Sequence, residues 1–175
     1  MKRGFTLIEL LIVIGILAIL AVAVVLILNP AQLLAQARDS QRMSDLNSVK
    51  SAISLYLVTY TSPTVTAGPT FTASSSPTIC PFSSCVGATL TTSTAVDGTG
   101  WVKVNLNNTT GGSALGALPM DPTNSTTYQY GYQGEDTNKT FKLVGVLEST
   151  KYSGLMSTDG GNTASWYETG TNLGL

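Results

Sequence analysis

The chain has 175 residues, a formal net charge of −1, two cysteines and no histidine. That length leaves room for one anchor helix and one modest domain. The missing histidines exclude Cys/His metal clusters, and four lysines against seven acids beyond Lys50 exclude a general electrostatic footprint for nucleic acid. In chain order, the first feature is Gly4-Phe5-Thr6-Leu7-Ile8-Glu9, followed from Leu10 to Leu28 by nineteen residues without a charged or strongly polar side chain. A helix rising about 1.5 Å per residue crosses a bilayer core of roughly 30 Å over such a run. Lys2 and Arg3 in front of it hold that end on the cytoplasmic side. Glu9 is the anomaly, because a charge at the centre of a membrane helix costs on the order of 2.5–3.5 kcal/mol and commonly marks a partner. Two plainer readings are a Glu9 that snorkels to the headgroups and a secretory signal with Ala35-Gln36-Ala37 as its A-x-A site. Signal cores, however, run about 7–15 apolar residues, and this one is longer and begins on an acid.

Lys2-Arg3-Gly4-Phe5-Thr6-Leu7-Ile8-Glu9-Leu10 resembles the class III signal of type IV pilins and type II secretion pseudopilins. The resemblance implies that a prepilin peptidase cuts between Gly4 and Phe5 and methylates the new amino-terminal Phe5. It also makes Glu9 the acid of the mature helix. The physical reading agrees: once Phe5 is first its amine is positive, and Glu9 lies one turn on. In a bundle, Glu9 can instead meet the Phe5 amine of a neighbour, so the costly charge is paired and assembly is favoured.

Asn29-Pro30 predicts a kink, since Pro30 lacks an N–H and clashes with the preceding turn. A helical pattern then resumes from Ala31 to Tyr60, with Met43, Leu46, Val49, Ile53, Tyr56, Leu57 and Tyr60 in one apolar stripe. Arg38, Asp39, Arg42, Asp45 and Lys50 mostly avoid that stripe, and Arg42 with Asp45 reads as a modest exposed pair. Ala37 to Leu46 again resembles pilin-like proteins, in which this half of the helix packs on a sheet.

Residues 61–100 turn to Thr, Ser, Pro and Gly, and Pro63, Pro69, Pro77 and Pro81 rule out a long helix. If the leader sends this domain out of the cytoplasm, a Cys80–Cys85 disulfide around a turn at Pro81 is the natural use of the two cysteines; two free buried thiols are the alternative. Strands are predicted at Trp101–Leu106, around Tyr128, Tyr130 and Tyr132, and at Thr140–Leu147, with a last short one near Trp166. They make an antiparallel sheet of three or four strands, one face on the helix stripe and one wet. Leu118-Pro119-Met120-Asp121-Pro122 and Phe141 to Glu148 resemble the carboxy-terminal half of major pseudopilins, which implies calcium in nearby loops. Asp121, Glu135, Asp136 and Asp159 would be its hard oxygen ligands, although their spacing fits no loop signature and loop acids are ordinarily just solvated.

The expected fold is α+β: one long amino-terminal helix, transmembrane then amphipathic, packed on a small antiparallel sheet. Its parts are a leader at 1–4, a membrane and filament-core helix at 5–29, an amphipathic half at 30–60, a loop region at 61–100 and a sheet domain at 101–175. No catalytic constellation is present, so an enzyme is not expected. Apart from calcium, no cofactor is expected. The resemblance implies a structural subunit of a homo-oligomeric helical filament, with prepilin peptidase, pilus or secretion assembly machinery and the membrane as partners. Whether it serves as a pilus, a secretion pseudopilus or a DNA-uptake filament stays open, and the charge balance disfavours a DNA-binding major subunit. Such a chain waits as a single-pass protein of the cytoplasmic membrane and ends in an extracellular filament. The competing class is an anchored surface domain that binds a glycan or peptide without forming filaments.

Overall fold

The computed structural model describes residues 4–66, 68–73 and 77–175, with Leu26 and Ile27 by backbone alone; Lys2 and Arg3 lie outside the described residues. The chain divides into two units, residues 1–35 and 36–175. Helix α1, Leu7–Leu28, dominates the first. It is interrupted where Asn29-Pro30 predicts: Asn29 takes the left-handed conformation, φ 40° and ψ 76°, and α2 runs from Pro30 to Thr59.

In the second unit α2 lays Leu46, Val49, Ala52, Ile53 and Tyr56 into one core with Val65, Trp101, Val104, Leu106, Tyr130, Tyr132, Phe141 and Leu143. The stripe read from the sequence is therefore the buried face. The sheet has five strands: β1 (Thr70–Phe71), β2 (Thr89–Leu90), β3 (Tyr130–Glu135), β4 (Thr140–Gly145) and β5 (Tyr167–Gly170), in the order β2-β1-β3-β4-β5. All neighbours are antiparallel except β1 and β2, which run parallel. The α+β arrangement stands, with three differences from the sequence reading.

First, residues 61–100 are not only a connection, because they supply β1 and β2. Second, Trp101–Leu106 is no strand. Its alternation reflects a buried loop: Trp101, Val102, Val104 and Leu106 are all within the core, the Trp101 indole donates to the Pro119 carbonyl at 2.9 Å, and Leu106 begins a short 3-10 turn. Third, the far face of the sheet is not wet. Phe71, Phe82, Val144 and Trp166 form a second buried cluster there, packed against Cys80 and Cys85. Gly131 on β3 makes this possible, since a Cβ there would sit 2.8 Å from both the Phe71 ring and Val144. The cysteines are joined in a disulfide, which closes a tight loop over that face.

Candidate functional site

The amino-terminal segment is built around one polar box. Gly4 precedes the helix, and space beside its Cα is open; Phe5 is 85% exposed. Thr6 is the N-cap of α1, in extended conformation. Its hydroxyl accepts from the Glu9 amide at 3.3 Å, while its own N–H and hydroxyl both donate to Glu9 Oε2 at 2.8 Å. This is a reciprocal capping box, which satisfies helix donors that would otherwise be left unpaired. The first two turns of α1 thus carry a carboxylate already solvated by its own chain. The Phe5 nitrogen is a peptide amide here, so the Phe5–Glu9 ion pair expected from the sequence would need a chain that begins at Phe5.

Beyond the box, every described side chain of α1 is exposed, although almost all are apolar. Residues Leu7–Val25 are long and apolar enough to cross a membrane, and none of that window is buried. A helix apolar all round has to be covered by lipid or by other helices.

The second polar centre was missed by sequence reasoning. Arg42 is fully buried and meets three carboxylates: Asp121 at 2.7 Å, Glu148 at 2.7 Å and Asp39 at 2.9 Å. Arg38 joins through Glu148 at 2.6 Å, and the Tyr128 ring lies 4.9 Å from the Arg42 guanidinium carbon. Asp39 also accepts the backbone N–H groups of Glu148 and Ser149 just beyond β4. The Arg42–Asp45 surface pair does not form; Asp45 instead accepts from the Tyr130 hydroxyl at 2.8 Å. Burial opposes the Arg42 charge, but hydrogen bonds to Asp121 and Glu148 outweigh it and hold the guanidinium firmly protonated. Hydrogen bonds from Arg38, with Arg42 behind them, bring the Glu148 carboxyl down to about 2. The centre clamps α2 to the Asp121 loop and to the end of β4.

The four acids considered for calcium are not brought together. Asp121 serves Arg42 and caps its own loop through the N–H groups of Thr123 and Asn124. Glu135 is held by Asn138 and Thr140, and Asp136 pairs with Lys139 at 2.7 Å in the β3–β4 turn. Asp159 accepts the N–H groups of Gly161 and Glu168. Among the described residues no three His, Cys, Asp or Glu side chains gather as a metal site, so these residues do not fit the calcium that the resemblance implies.

Compared with known families, residues 1–25 match the prokaryotic N-terminal methylation motif. The matched stretch holds Gly4, Phe5, Glu9 and most of α1, and it implies processing by prepilin peptidase. No curated protein and no solved structure matches the chain.

Proposed function

We propose that this chain is a structural subunit of a type IV pilus-like filament, cut between Gly4 and Phe5, methylated on Phe5, and drawn from the inner membrane into a fibre through α1. The observation that carries the reading is an apolar helix exposed on all sides whose polar feature sits at its first turn, within the methylation motif. In the membrane, lipid covers α1. In the fibre, the same side chains pack against α1 of other copies, an open-ended interface that gives a filament rather than a closed ring. Glu9 then exchanges part of its local box for the Phe5 amine of a neighbour, which sets the register. The surface domain at 36–175 faces outward, outside the cell.

The test is the intact mass and amino-terminal residue of the protein from its native cells, with the filament yield of Glu9→Gln beside it. Methylated Phe5 at the amino terminus is the expected result. Glutamine keeps a capping acceptor but no charge, so Glu9→Gln should still insert in the membrane and yield few filaments. A chain that keeps Met1 would leave an anchored surface domain in place of a filament subunit. Wild-type yield from Glu9→Gln would remove the register role.

A further inference from the structure

On the far face of the sheet, β4 sends Lys142 into the second cluster, where its side chain is fully buried. Its ammonium is surrounded by oxygens from four separate segments. It donates to the Pro81 carbonyl at 2.7 Å, to Asn162 Oδ1 at 2.7 Å and to the Leu175 carbonyl at 3.3 Å, and it pairs with Glu168 Oε1 at 2.9 Å. The Phe82 ring lies 5.8 Å away. The three ammonium protons are thus donated to Pro81, Asn162 and Leu175, and Glu168 completes the cage as the ion-pair partner.

The cage is built rather than accidental. Glu168 Oε2 is fixed by the Asn162 N–H at 2.8 Å, and the Glu168 N–H is fixed by Asp159 at 2.7 Å. Any side chain at Gly161 would collide with the Glu168 carboxylate. One carboxylate, one amide oxygen and two carbonyls converging on a buried point are the donor set of a hard cation. Here the centre is filled by a covalently attached one, and a divalent ion at the same point would meet its positive charge.

We propose that Lys142 is the resident cation of the surface domain. Its ammonium ties the disulfide loop, the 159–162 loop, β5 and Leu175 to β4, and it gives this region the cross-link that a calcium ion would otherwise supply. The domain is then calcium-independent. The inference stands apart from the filament reading, because it concerns residues 77–175 alone.

The test uses the full chain in detergent, with unfolding followed by tryptophan fluorescence. Both tryptophans, Trp101 and Trp166, lie in the surface domain, so α1 is silent. The wild-type midpoint should not move in millimolar EDTA or calcium chloride. Lys142→Ala should unfold roughly 10 °C lower, because it leaves Glu168 buried without its partner. n-Propylammonium chloride, which replaces the deleted atoms, should recover part of that loss, and sodium chloride at equal ionic strength should not. A wild-type midpoint that rises with calcium and falls with EDTA would overturn the assignment, and it decides the matter even if Lys142→Ala does not fold. So would a variant midpoint equal to wild type, or a variant that responds alike to the two salts.

Discussion

Two of the polar centres of this molecule, the Glu9 box and the Arg42 cluster, are satisfied in opposite ways. At the start of α1, Glu9 is met by Thr6, three residues away, through bonds that one helical turn makes by itself. In α2, Arg42 is met by Asp121 and Glu148, which are 79 and 106 residues away. A locally satisfied group travels with its helix and stays intact whether lipid or protein surrounds it. A group satisfied by distant segments exists only when the whole domain is folded. Under the filament reading proposed above, the first arrangement suits a helix that changes its surroundings, and the second a domain that keeps its shape.

The largest effect should therefore come from the distant centre. Arg42→Met leaves Asp39 and Asp121 buried without a counter-charge, which costs about 3–5 kcal/mol. Arg38, whose side chain is 38% exposed, pairs with the same Glu148 from the rim, and Arg38→Met should cost much less because solvent screens an exposed pair. Chemical denaturation of the two variants side by side checks this. Equal losses would mean that Arg42 is no better integrated than a surface arginine.

Acid should act next, again on the domain. Folded Glu148 lies at about 2 against an ordinary 4.5, so the folded state binds its proton more weakly than the unfolded state does. Its contribution is complete above about pH 4.5 and is lost as the pH falls towards 2, on the order of 2–3 kcal/mol after allowance for its partial exposure. Asp45, pushed upward by burial despite the Tyr130 hydroxyl, works against that slope. Unfolding midpoints between pH 5 and pH 2 should fall steeply in wild type and more gently in Glu148→Gln. Parallel curves would remove Glu148 as the source.

Much of this was legible in the sequence, and the failures have physical causes. The long apolar helix, the break at Asn29-Pro30 and the α2 stripe follow from run length and period, which are local properties. The strands β3 and β4 follow from alternation. Trp101–Leu106 alternates as well, but its partners are loop groups rather than a strand ladder, and the pattern of burial alone does not separate the two. β1 and β2 are two residues each, too short to show any period. The Arg42 centre did leave a signal. Stepping back from Tyr56 through Ile53, Val49 and Leu46 at the same three- and four-residue spacing reaches Arg42 and then Asp39, so the buried face continues through two charges. Sequence reading stops there because a charge on a buried face is tolerable only with partners, and those partners lie beyond residue 120. Lys142 is the same case on β4: it alternates with Phe141 and Leu143 and looks solvated until the disulfide loop is seen to cover it.

The smallest effect should belong to the local box. Thr6→Ala removes the hydroxyl at the N-cap, and a cap substitution of this kind costs about 1 kcal/mol. Because no described side chain of α1 is buried, that loss should appear as fraying of its first turn and leave the tryptophan-detected unfolding of the domain unchanged. Amide hydrogen exchange in detergent can read this directly, with faster exchange at the residues just after Leu7 and no change at β3 and β4. A fall in the domain midpoint would show that the box is coupled to residues 36–175 after all. An unchanged domain with a frayed helix start would mean that the box stabilises α1 alone and that the domain holds its shape without it.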